Sequence, residues 1–188
     1  MKKTIIISIL FIGGATKAQV SIGGNQTVNG NSTILDFKGN TATEAPADQN
    51  TTNDKGIILP AVANSPSYTA VAPATDNPNN GTFLFDKTLK MVRMFENGTW
   101  VNLSDSAGDD VKVLSNSSDE KGSGVIIGAN TTDAEGVLVL ESSDKAMILP
   151  HIKNPHTTVK SPYPGMMCYD TASNSLAVFD GVRWNYWK

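Results

Sequence analysis

The residues in this 188-residue chain that could do chemistry are few and far apart. There are two histidines, His151 and His156, and one cysteine, Cys168. A structural zinc site needs four convergent ligands and a catalytic one at least three. Two histidines on one polar loop and a cysteine inside an apolar run, MMCYD, fall short of either count. They read as solvated loop histidines and a buried small hydrophobe. No G-x-S-x-G elbow accompanies them, so nucleophilic hydrolysis has no candidate. The acidic run Asp105-Ser106-Ala107-Gly108-Asp109-Asp110 lacks the oxygen spacing of a calcium loop and reads as a solvated link. No catalytic residue, metal ligand or cofactor site is assigned, and the chain is expected not to be an enzyme.

Aromatic side chains carry the one binding signal. The segment RWNYWK holds Trp184, Tyr186 and Trp187. In a strand the first two point to one face and Trp187 to the other. Flat exposed aromatics are what sugar-binding surfaces use, and buried ones hold a strand onto its core. Both readings stand: Trp184, Tyr186 and Trp187 as a ligand surface for a glycan or surface protein, or as packing.

The elements that must position these residues come in two copies. Asp54, Lys55, Ile58, Leu59, Pro60 and Asn64 correspond to Asp144, Lys145, Ile148, Leu149, Pro150 and Asn154. Val20, Ile22, Gly23 and Leu35 correspond to Val125, Ile127, Gly128 and Leu140. Gly81, Asp86, Phe95 and Trp100 correspond to Gly165, Asp170, Phe179 and Trp184. A fixed order of matches is the mark of an internal repeat. The first copy carries two insertions, within Lys38–Asn53 and Ser67–Asn80, whose Asn, Thr, Pro and Ala content predicts surface loops. Pro60, Pro150, Trp100 and Trp184 define the repeat structurally. Proline ends a strand or holds it at an edge, and the equivalent tryptophans share a packing role.

Each copy opens with a short strand ending in glycine, continues through a second apolar piece and an Ile-Leu-Pro stretch, and closes with three short strands. Asn97-Gly98 and Asp180-Gly181 join the last two strands, the pairing favoured by type I′ hairpins. Sustained helical periodicity is absent. The predicted fold is all-β: two related modules of short antiparallel strands, each ending in a three-stranded meander, fibre-like in build. The modules are assigned to residues 19–103 and 124–188, with a polar link at 104–123 that permits them to separate.

Residues 1–18 read as a secretory signal peptide. Lys2 and Lys3 precede an apolar run, and Thr16 and Ala18 suit the peptidase. The mature chain is expected to begin at Gln19, with no membrane span, and to work in the periplasm, outside the cell or at its surface. Removing Lys2, Lys3 and Lys17 from fifteen basic residues leaves twelve against eighteen acidic ones, a net charge of −6. Nucleic acid is excluded as a main partner, because it needs a positive field.

The order D-K-G-I-I-L-P, polar loop, G-T-F-L-F-D, hairpin, F-E-N-G-T-W resembles a repeat of Bacteroidetes secreted surface proteins, and similar repeats occur in phage tail-fibre-like proteins. Members carry an arginine after the proline, where Ala61 and His151 stand here. Asp105-Ser106-Ala107 and Asp170-Thr171-Ala172 are similar to the short O-glycosylation acceptor of the same bacteria. The resemblance implies a structural, adhesin-like or fibre-like surface module that self-associates as a homotrimer. A second consideration points the same way. Phe83 and Phe85 oppose Leu84, so the strand is apolar on both faces and needs cover on both; neighbouring chains are expected to supply it.

Overall fold

The computed structural model describes residues 19–23, 32–37, 51–113, 122 and 124–188. The expected signal peptide and most of the first insertion lie outside the described residues. Among the described residues fourteen strands fall into two runs of seven. The first comprises β1 (Val20–Ile22), β2 (Thr33–Phe37), β3 (Ile57–Ile58), β4 (Ala61–Val62), β5 (Phe83–Asp86), β6 (Met91–Glu96) and β7 (Thr99–Asn102). The second comprises β8 (Val125–Ile127), β9 (Leu138–Leu140), β10 (Ala146–Ile148), β11 (His151–Ile152), β12 (Met166–Asp170), β13 (Ser175–Phe179) and β14 (Trp184–Trp187). Among the described residues, one helical turn, α1 (Pro155–Thr158), and one 3-10 turn at Ala74–Asp76 interrupt otherwise all-β structure.

The repeat extends to individual hydrogen bonds. Phe85 N–H donates to the Pro60 carbonyl and Tyr169 N–H to the Pro150 carbonyl, each at 2.9 Å. Gly81 N–H donates to Phe95 and Gly165 N–H to Phe179, each at 2.8 Å. Proline has no N–H to offer a ladder. Each Ile-Leu-Pro stretch therefore breaks into two short strands, and the proline carbonyl still bonds to the first meander strand. Both predicted meanders form, as β5-β6-β7 and β12-β13-β14, antiparallel throughout. Five of the six remaining pairs add a parallel element that antiparallel modules did not anticipate; the sixth, β3 with β12, is antiparallel. β1 pairs with β2, β10 with β2, β4 with β5, β11 with β12 and β8 with β9, all parallel.

The two runs interleave. β10 of the second run joins β2 of the first, and β3 of the first joins β12 of the second. The main core draws Leu59, Phe85, Val92 and Leu103 from one run and Met167 and Val178 from the other, with Val113 of the intervening segment beside them. The described part of that segment, residues 104–113, is docked. Asp109 N–H donates to the Asp180 carbonyl at 2.9 Å, Asp110 pairs with Lys90 at 3.3 Å and Asp105 with Arg183 at 3.7 Å. At Gly108 a Cβ would lie 2.1 Å from the Lys90 carbonyl oxygen, so only glycine passes there.

Within the chain itself, much of the cover for the two-faced strands is already in place. The second meander turns Met167 and Val178 to the shared core. It turns Met166, Cys168, Ala177 and Phe179 to a second core closed by Ile152 and Val159. On the first meander, Phe85 and Val92 face the shared core. The far side is covered by the second insertion, whose Tyr68 ring lies 4.9 Å from Phe95 and 5.9 Å from Trp100. That insertion is a surface loop with buried anchors: Asn77 and Asn79 are inaccessible, and the Asn79 side-chain oxygen accepts from Glu135 N–H at 2.7 Å.

Candidate functional site

Asp170, the last residue of β12, organises the corner beside the C-terminal aromatics. Its Oδ1 accepts from Asn154 N–H at 2.9 Å and Ala172 N–H at 3.0 Å, and its Oδ2 accepts from the Ser173 hydroxyl at 2.7 Å. Asn154 takes a left-handed conformation, φ 51°, which asparagine tolerates better than other side chains. Pro155 then starts α1 with its φ preset for a helix. The turn lifts His156 against β14, where its Nδ1 and the Tyr186 hydroxyl share a hydrogen bond of 3.1 Å. The result is an open cleft of about 330 Å³ lined by Asn154, His156, Asp170, Ala172, Ser173 and Tyr186.

Burial pushes the Asp170 carboxyl up, but the hydroxyl and backbone donors outweigh it and hold the group below the usual carboxylate range. Burial, then the Asp170 and Cys168 charges, push the Tyr186 phenol up to about 12. The cleft thus presents a carboxylate, an amide, hydroxyls and one aromatic face. Among the described residues no three His, Cys, Asp or Glu side chains gather as a metal site would require.

The predicted ligand surface is divided by the fold. Trp184 is half-buried and packs on Phe179 at 5.4 Å, at the edge of the second core. Tyr186, on the same face, is 41% exposed and lines the cleft. Trp187 lies on the opposite face, and its indole N–H donates to the Leu103 carbonyl at 2.7 Å. Trp100 repeats the Trp184 arrangement on Phe95, at 5.2 Å, and donates its indole N–H to Pro66 at 2.9 Å. His151 stacks on Tyr169 at 5.2 Å, away from the cleft. Of the two acceptor-like triplets, Ser106 is exposed, but Thr171 is only 2% exposed and its hydroxyl is buried. Sequence reasoning missed Asn154, Asp170 and Ser173 as cleft residues; the Asn-Pro step before α1 was the available signal.

A second feature is a set of unfinished sheet edges. β8 and β9 form an isolated two-stranded parallel sheet, with Val125, Val137 and Leu138 between 45% and 57% exposed. Two short strands are marginal alone, and parallel sheets are ordinarily covered. Exposed Ile22 and Ile58 add to the apolar surface. No helix among the described residues is long and apolar enough to cross a membrane.

The described residues thus form two interleaved β repeats that leave parallel edges open. Residues 126–188, all of the second run except the first residue of β8, match the family described as phage tail like trimerisation region. No curated protein and no solved structure matches the chain.

Proposed function

We propose that this chain is an exported structural protein that works as a homotrimer, a fibre-type β module displayed in the periplasm or at the cell surface. The similarity of residues 126–188 to a phage tail-like trimerisation region carries the reading. The open β8-β9 sheet supports it, because an exposed apolar edge is a liability that assembly removes. Light scattering coupled to gel filtration on residues 19–188 tests the assembly, and the intact mass of protein exported by its native host tests the Gln19 start. A single chain mass at tens of micromolar would overturn the trimer, and a retained Met1 the export.

The cleft at Tyr186 favours a second, compatible role: an adhesin-like contact with a glycan. One aromatic face beside Asn154, His156, Asp170 and Ser173 offers both stacking and hydrogen bonds to a sugar. Glycan-array binding lost on Tyr186→Ala would support it, and binding unchanged by that substitution would move the contact elsewhere.

A further inference from the structure

The internal repeat shows which strand each unfinished edge is built to take. In the first run, β2 is flanked by β1 on one side and on the other by β10, the Ile-Leu-Pro strand of the following run. The register is Ala146 with Thr33, Met147 with Leu35 and Ile148 with Asp36. β2 is buried as a result, with Thr33 at 6%, Ile34 at 2% and Leu35 at 0% exposure. In the second run β9 has its equivalent of β1, which is β8, but among the described residues no strand lies on its other edge. Leu138, the counterpart of Thr33, is 45% exposed. The missing neighbour would be the Ile-Leu-Pro strand of a following run.

β3 is the strand of that type with an edge to spare. Among the described residues its one partner is β12, at Met166 with Ile58 and Met167 with Ile57. Ile58 remains 52% exposed. The same comparison marks a reciprocal gap. On β12 the residues under β3 are buried, Met166 at 7% and Met167 at 3%, but their counterparts, Thr82 just before β5 and Phe83 on it, are only half-buried and among the described residues carry no strand on that edge. Each Ile-Leu-Pro strand thus has one of two partners in place. β3 has the meander of the following run, and β10 has the second strand of the preceding one.

We infer that β3 of one copy of this chain pairs in parallel with β9 of a second copy. The register follows from the internal pair: Gly56 with Leu138, Ile57 with Leu140 and Ile58 with Glu141. This deepens, and rests on, the trimeric reading. The contact joins two different surfaces, so it is head-to-tail, and it closes into a ring when the rotation per copy is a third of a turn. The reciprocal junction, β10 on β5, is looser. A Cβ at Gly56 would lie 2.6 Å from the Met167 carbonyl oxygen, and Ala146 stands at the equivalent place in β10. The β3–β9 pair is therefore the primary contact.

Residues in register on adjacent strands stand about 5 Å apart, within disulfide reach. Ile58→Cys and Glu141→Cys chains, each also carrying Cys168→Ser, are co-expressed and oxidised, with Ile58→Cys plus Val182→Cys as the collision control. The expected result is a two-chain disulfide in about tenfold excess over the control. Hydrogen exchange on the unsubstituted protein provides the second measurement: the amides of Leu138 and Leu140, which alternate with the Glu141 N–H already bonded to Ile127, should be protected at high concentration and lose protection as the assembly dissociates on dilution. A trimer by light scattering with neither the cross-link nor the protection overturns the β3–β9 pairing and leaves the trimer standing. A monomer overturns both.

Discussion

The indole N–H of Trp187 donates a 2.7 Å hydrogen bond to the carbonyl of Leu103, joining β14 to the residue that follows β7. Leu103 is itself 3% exposed and part of the shared core, so the bond ties the second meander to the first at their common boundary. Trp187→Phe keeps most of the ring and removes the donor. It should cost about 1–2 kcal/mol, read as a lower urea midpoint with an unchanged slope. A changed slope would mean that the two meanders had come apart as separate units.

Asp86 and Asp170 hold equivalent corners, each 2% exposed at the end of the first meander strand. Burial pushes the Asp86 carboxyl up. The Ser65 hydroxyl, the Leu89 and Ser65 N–H groups and the Arg93 guanidinium outweigh it, and the group sits below the ordinary range, as Asp170 does. Since both titrate lower when folded than the roughly 3.9 of an unfolded aspartate, their contribution is fully present above about pH 5. It should fall away as pH drops through the lower, folded values. In thermal melts from pH 7 to pH 2, Asp86→Asn and Asp170→Asn should start lower by about 1–3 kcal/mol and lose less on acidification.

Cys168 is fully buried in the second core, and burial, with the Asp170 charge adding, pushes its thiol up to about 12. At pH 8 the native chain should react with a thiol reagent about a thousandfold more slowly than a free cysteine, whose pKa is about 8.5. The rate should climb with denaturant in step with unfolding. Rapid labelling of the native protein would contradict the packing of β12 against Ile152.

The Tyr68, Phe95 and Trp100 rings form one cluster, so Tyr68→Ala and Trp100→Ala should each destabilise, by about 1–2 and 2–3 kcal/mol respectively. Together they should cost less than the sum, because they share contacts. Deleting residues 67–80 should be costly as well, since it strips Tyr68 from this cluster and Asn79 from Glu135. Urea titration of the two single variants, the double variant and the deletion checks this.

The repeat was legible because its signals are local. Proline between two apolar pairs, glycine before a meander and Asn-Gly in a hairpin each act over a few residues. Asn97 and Gly98 take the expected positive φ, 49° and 75°. Asp180-Gly181 does not follow. Asp180 keeps a negative φ and its buried carboxylate accepts from the Val182 and Arg183 N–H groups, because Asp109 of the intervening segment occupies its carbonyl and crowds Gly181. That contact spans seventy residues and has no local sign. For the same reason nothing in Ile57–Ile58 or Ala146–Ile148 says which edge each will choose, since strands of two or three apolar residues suit many partners. The cleft side chain Tyr186 was visible as an aromatic in a strand, but Asp170 and Ser173 were not, since their place depends on the left-handed turn at Asn154.

Stoichiometry is the most direct test of the central claim. Residues 19–188 made with natural and with heavy nitrogen, co-refolded in equal amounts and weighed intact by native mass spectrometry, report the number of chains by the number of mixed species. A homotrimer predicts four masses: the two pure forms and, between them, one species with two light chains and one with a single light chain. Two masses, each of a single chain, would contradict the account.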